Sequence, residues 1–589
     1  MFKLFCRNKM AVISAVLCLY ASGAFAATPE LIFSKEGLGA GDWMGLMVSR
    51  AGDLNGDGIG DFLVGAPYAD GPVQNTGAVY IYFGGPGLDS DPDLTLLGEA
   101  NGDQFGLNAR GVGDVNDDGW DDVLVGAPNN DAGGYNSGRL YLYFGGPGLD
   151  AVPDLVITGT GSEQLGWSVA GPGDLDGGGN DFAAGAPSAN ARAGMVYVYN
   201  GGASLDGVAD YSMPGAASTW LGWFTNRAGD FDGDGWDDLL VGANSDRYAY
   251  LFRGGADFDS IPDFVFTGEA LGDRFGYGLG PAGDFNGDGW DDIVIGGMHN
   301  DAAGFDAGRA YLYYGGPNPD VTADMVFTGF LARDLLGRTV DGSGDLNGDG
   351  YSDLLVGAPT PDVGGFGPGR LHVYFGGDPN GVAPPDTTAD ILIGGEYDSD
   401  RMGAQVGIVP DMNGDGRDDI LVGANLYDGT AGANSGKFYL YSVPNRAPVA
   451  LADSAVLALD LQPVVIDVLA NDTDDENAID PTSVVLVQAP LQGLAVVDTL
   501  TGVITYTPDP GFAGTDTLAY TVADTLGAVS EPGVVTILGP DLTPPAPLDM
   551  IVAAGGAGAV AVSWQGVPVD ADSLEVWHAV WADSTGATA

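Results

Sequence analysis

Asp53, Asn55, Asp57 and Asp61 place side-chain oxygens at positions 1, 3, 5 and 9 of one loop, and Ile59 offers a backbone carbonyl at position 7. That donor set suits a hard cation: calcium takes about six to eight oxygens at roughly 2.3–2.6 Å, and a glycine at position 6, here Gly58, lets the loop fold tightly round it. Zinc and copper would call for His or Cys, which these loops lack. The set returns as Asp114, Asn116, Asp118 and Asp122, and as Asp230, Asp232, Asp234 and Asp238. Asp284, Asn286, Asp288 and Asp292 follow, then Asp345, Asn347, Asp349 and Asp353, then Asp411, Asn413, Asp415 and Asp419. A further copy, Asp174-Leu-Asp176-Gly-Gly178-Gly-Asn180-Asp181, has glycine at position 5 and is one residue short. The expectation is six calcium sites, with the third copy weak or empty. EF-hand and dockerin loops begin alike but need an acidic residue near position 12 and flanking helices. Position 12 here is Val64 or Val125, inside an apolar run.

The elements that hold these loops repeat with them. The first aspartates fall at 53, 114, 174, 230, 284, 345 and 411, so the period is 54 to 66 residues, that of a supersecondary unit and not of a nine-residue calcium β-helix repeat. Each unit has a short strand such as 153–158, a second strand entering the Asp loop, an apolar run such as 122–126, and an aromatic strand such as 138–144. No stretch has helical period, and four strands cut by Gly and Pro turns predict a four-stranded antiparallel blade. Seven blades make a β-propeller. The repeats open on 30–33, which matches the strand that elsewhere follows the aromatic one, and close on the aromatic strand 436–441. Leu31 to Phe33 should therefore pair with Phe438 to Tyr441 and close the ring without a free edge.

Phe-Gly or its equivalent recurs at 44, 105, 165, 221, 275, 336 and 402, and Gly-Ala-Pro at 65, 126, 185 and 357. Together these resemble the FG-GAP repeats of the integrin alpha-subunit propeller and its bacterial relatives, over about residues 29 to 443. Three turns depart from the pattern: 242–244, 296–298 and 423–425. The resemblance implies cell-surface or matrix recognition. The domain inserted between blades two and three of some integrins is missing, because the spacing there stays at 60.

Composition narrows the setting. Lys3, Arg7 and Lys9, the apolar run 10–20 and Ala24-Phe25-Ala26 read as a secretory signal over 1–26. The apolar run is short of the ~20 residues that a spanning helix needs, and Leu17 argues against a lipidated Cys18. Cys6 and Cys18 both lie in the leader, so no disulfide is expected in the mature chain. The net charge is −61, which makes nucleic acid and anionic membranes poor partners. Only nine of the 81 acidic residues are glutamate, in keeping with turns and metal loops. The scarcity of lysine also fits a salt-adapted surface.

After a linker at 444–448, alternating segments at 464–474, 502–508 and 512–522 predict a β-sandwich over 445–540. It is similar to the cadherin-like and immunoglobulin-like modules of bacterial surface proteins. Asp467, Asp472, Asp474 and Asp475 there read as a solvated turn in preference to a calcium edge. Residues 541–589 resemble the opening strands of a fibronectin type III domain. The expected architecture is all-β: a propeller over 27–444, a sandwich, and part of a second sandwich. An adhesion or ligand-binding scaffold for an extracellular protein or glycan is the leading reading. An extracellular propeller enzyme on glycans or lipids, or a surface-layer component, is the alternative. No G-x-S-x-G, H-E-x-x-H or cysteine nucleophile is present. His299, His372 and His578 stand apart without a partner motif and read as structural.

Overall fold

The computed structural model describes residues 28–540 except 203–204, 245–246, 361–366, 380–383 and 475–477, and the strands Met550–Ala553 and Ala561–Trp564. The leader, Asp475 and His578 lie outside the described residues. So does most of the 541–589 segment, of which one antiparallel hairpin is described. The chain divides into two compact units at Arg446 and Ala447.

The first unit begins with β1 (Glu30–Glu36), which stands apart from the blade that follows it. Blade one is β2 (Met47–Gly52), β3 (Asp61–Ala66), β4 (Ala78–Tyr82) and β5 (Leu94–Leu97), hydrogen-bonded in that order and antiparallel throughout. Six more four-stranded sheets repeat it. The last is completed by β1: Leu31 pairs with Tyr441 and Phe33 with Leu440, across a bulge at Ile32. The predicted closure therefore holds. The inner strand of each blade packs on the inner strand of the next, and Met402–Val409 packs on β2, so the ring is continuous.

Burial explains the sequence pattern of each strand. β3 and its equivalents are buried at every position because neighbouring blades cover both faces, so they read as continuous apolar runs. Outer strands have one wet face and alternate, as Leu155–Thr158 does. The core is correspondingly seven layers between blades. One of them joins Phe62, Tyr80 and Tyr82 of blade one to Val409, Leu421 and Phe438 of blade seven.

The two motif glycines mark where three backbones meet. Gly166 has φ 84°, its amide donates to the carbonyl of Gly185 in its own blade, and a Cβ on it would press on Gly126 of the preceding blade. The same contact closes the ring, where a Cβ on Gly423 would fall inside the Gly45 carbonyl oxygen.

In the second unit, a four-stranded sheet (Asp453–Val456, Gly533–Leu538, Thr515–Asp524, Ile479–Gln488) accompanies a three-stranded one (Val464–Ile466, Ile504–Pro508, Gly493–Val497). Ile466, Tyr506, Leu518, Tyr520, Val522 and Val535 belong to one shared core, as in a sandwich. The first of these strands ends at Ile466, sooner than the alternation of 464–474 suggests. Asp472 is held within the domain, accepting from Leu451 N at 2.7 Å and from the Tyr520 hydroxyl at 2.8 Å. No helix among the described residues is long and apolar enough to cross a membrane.

Candidate functional site

Every inner strand runs from the Phe-Gly pair at one end of the ring to an Asp loop at the other. In the first loop Asp53 accepts the amides of Gly56, Asp57 and Gly58, and Asp57 accepts that of Ile59. The chain is thus wound round its own carboxylates. Asp61, at the start of β3, accepts Leu54 N at 2.8 Å and Gly84 N at 3.0 Å, tying the loop to the end of the adjacent strand β4. Asp122, Asp181, Asp238, Asp292 and Asp353 each repeat both bonds. Asp419 repeats the first, with Met412 N.

All seven of these position-9 aspartates have no solvent exposure. Burial pushes Asp61, Asp122 and Asp181 up to about 7 and Asp238, Asp292 and Asp419 up to about 8, against the pull of the amides. Asp353 is raised well above the ordinary carboxylate value for the same reason. The neighbouring loop carboxylates add to each rise. Burial and like charges both favour the neutral, protonated form of these carboxyls, and a cation bound beside them would favour the ionised form instead.

The loops differ at position 3. Where it is Asn, the Asn Nδ2 donates to the position-5 carboxylate, as Asn55 does to Asp57 at 3.1 Å. Asn116, Asn286, Asn347 and Asn413 do the same. Where it is Asp, the donor comes from the residue after the aromatic strand: Asn200 Nδ2 to Asp176 at 2.5 Å, and Arg253 Nη1 to Asp232 at 2.6 Å. In loops one, two, five and six that residue is Phe83, Phe144, Tyr314 or Phe375. Loop seven adds Arg417, 3.1 Å from Asp415.

In two loops three carboxylates gather so that one ligand atom from each lies within 4.8 Å of the others: Asp230, Asp232 and Asp234, and Asp174, Asp176 and Asp181. The shortened third loop therefore keeps a three-carboxylate cluster despite Gly178, with the Asn200 amide bonded to Asp176.

Sequence reasoning missed position 8. Asp121 Oδ2 accepts Asp53 N of the preceding loop at 2.7 Å, and Asp237, Asp291 and Asp418 do likewise for Asp174, Asp230 and Asp345. Each side chain fills the place a Cβ would take on the glycine before position 1, as Asp121 does at Gly52. The one copy with proline there, Pro410, faces the one copy with glycine at position 8, Gly60. That exchange was the available signal.

His299 Nδ1 lies 2.7 Å from Asp306 Oδ1 in the blade-five turn. His372 is 1 % exposed, and burial pulls it down to about 3, so it is neutral.

Comparison with known proteins gives matches in both units. FG-GAP repeat models match 49–82, 111–143, 337–374 and 402–441, an FG-GAP-like repeat model matches 230–295, and a bacterial Ig domain model matches 445–537. Integrin alpha-5 of Xenopus laevis is 37% identical over 219 residues, 35% of this chain and 20% of the relative. Integrin alpha-6 of Homo sapiens is 36% identical over 150 residues, 25% of this chain and 12% of the relative. Integrin alpha-PS2 of Drosophila melanogaster is 32% identical over 228 residues, 36% of this chain and 16% of the relative. The chain thus matches a fifth or less of the length of these relatives.

Proposed function

We propose, for a chain whose FG-GAP repeats form a closed integrin-alpha-like propeller and whose second unit is a bacterial Ig domain, the role of an extracellular scaffold that presents a ligand-binding surface. In this reading calcium is structural. It enters the Asp loops through the oxygens at positions 1, 3, 5 and 9 and neutralises the buried position-9 carboxylate. The observation that carries the reading is the placement of the loops. They sit at one end of the inner strands, bonded into β3 and into the preceding blade, while the opposite end of the ring is free to vary. A cation there stiffens the framework without occupying the presenting end.

Secretion rests on the leader over 1–26 and on the company of FG-GAP repeats and an Ig domain. The ligand is an extracellular protein or glycan, and catalysis is not part of the proposal. The test is a panel of matrix proteins and glycans, probed with the full chain in calcium and again after chelation. Calcium-dependent capture supports the scaffold, whereas turnover of a glycan in the panel overturns it in favour of an enzyme.

A further inference from the structure

The end of the ring opposite the Asp loops holds a cavity of about 150 Å³ whose lining includes the residue after each Phe-Gly glycine, one per blade. These are Leu46, Leu107, Trp167, Trp223, Tyr277, Arg338 and Ala404. Three consecutive blades give the aromatic members, and all three are half-buried. Trp167 and Trp223 lie 4.5 Å apart, centroid to centroid, and Phe224 lies 4.6 Å from Tyr277, so the rings meet in two pairs along the lining. Arg274 and Arg338 stand 5.9 and 6.0 Å from the Tyr277 ring.

In a chain of net charge −61, a cavity-lining arginine, Arg338, with Arg274 and Arg401 nearby and no acid paired to any of the three is out of character. Neither Arg274, Arg338 nor Arg401 takes part in an ion pair among the described residues. Arg338 spends one hydrogen bond on the Ala404 carbonyl, at 2.6 Å. Partial burial pulls the Arg401 guanidinium below its usual value and the nearby positive charge of Arg338 adds to that, an arrangement that an anion relieves. Deeper in the same cavity, Arg110 Nε and Asn108 Oδ1 are buried without a hydrogen-bond partner, and such groups ordinarily find one.

We propose that this mouth binds a uronate residue of an acidic polysaccharide, its ring face on Trp167 and Trp223 and its carboxylate toward Arg338 and Arg401. A uronate uses both halves of the site, because its C–H face is apolar while its rim carries hydroxyls and one carboxylate. Planar guanidiniums suit that carboxylate through paired N–H donors. An acidic peptide would engage the arginines and leave the indole faces bare. The assignment rests on the scaffold reading, whose ligand class and site it specifies.

The full chain is titrated in calcium with trigalacturonate, with its methyl ester, and with pentaglutamate, followed by tryptophan fluorescence and calorimetry. Trigalacturonate should bind, and the ester and the peptide should bind at least about tenfold more weakly. Trp223→Ala and the exposed Arg401→Gln should each cost about tenfold in affinity, Arg401→Gln with the melting temperature unchanged. Equal binding of the ester or of pentaglutamate overturns the proposal, as does no binding of trigalacturonate. Affinity that survives both variants but falls with Asp57→Asn also overturns it, since calcium in the loops would then be bridging to the acid. The variants are finally run on the matrix and glycan panel. A panel ligand retained by both removes the mouth as the site and leaves the scaffold standing, whereas a wild-type chain with no panel ligand removes the scaffold itself.

Discussion

The two ends of the inner strands are built from the same seven repeats and have diverged to opposite degrees. At the loop end, the position-9 aspartate makes the same amide bond in all seven copies, even in the one that has lost a residue. At the Phe-Gly end, the residue after the glycine changes from leucine to tryptophan to arginine around the ring. The glycine itself does not change, because of its positive φ and its fit against the preceding blade. A ring needs identical joints but not identical rims. Symmetry at one end fixes the geometry, and asymmetry at the other can then be spent on recognition.

The largest test of that contrast is metal removal. Each site saturated at 100 times its Kd contributes about 2.7 kcal/mol, so six together rival the roughly 5–15 kcal/mol by which domains are ordinarily stable. Chelation should therefore lower the melting temperature of the propeller steeply in a calorimetric scan; an unchanged melt would show that the loops bind nothing. Next comes a pair of glycine variants. Gly423→Ala, which drives a Cβ into a neighbouring backbone, should cost about 3 kcal/mol in denaturant unfolding. Gly58→Ala, with open space around it and φ 85°, should cost only about 1 kcal/mol. Equal costs would mean that the joints between blades are softer than the structure shows.

The third test is pH. A carboxylate whose folded pKa is raised holds its proton more tightly in the folded state, so its contribution is full below the unfolded value near 4 and is lost as pH rises through about 7 to 8. The metal-free protein should accordingly be more stable at pH 5 than at pH 8. Calcium binds the ionised form, so its stabilising effect should be larger at pH 8, and melts at both values with and without chelator measure the crossover. The smallest effect belongs to loop four. Arg253 is 45% exposed, so Arg253→Gln should change stability without metal by about 0.5 kcal/mol or less. It should, however, tighten calcium at that loop by freeing Asp232, which titration of the single site in a chain with the other loops neutralised would show.

Legibility followed locality. The Asp loop is a run of nine residues, so its oxygen donors, its turn glycine and the strand that follows it could all be read along the chain. The phase of the termini fixed which strand β1 must join, and the register follows it to within one bulge. Position 8 went unread because Asp121 serves the loop before it and not its own, and the Arg253 partner of Asp232 went unread because it lies 21 residues on.

The sequence by itself therefore determined the number of repeats, their all-β character, the donor chemistry of the loops and the closure of the ring, since each follows from the content of one period or from the phase at which the periods start and stop. Only the tertiary structure decided what the seven copies do to one another. It set the latch between successive loops, the glycine joints where three backbones meet, and the gathering of Trp167, Trp223, Tyr277 and Arg338 round one cavity. The physical reason is that a closed ring brings together residues one or more periods apart, and no spacing along the chain records which of them will face the same space.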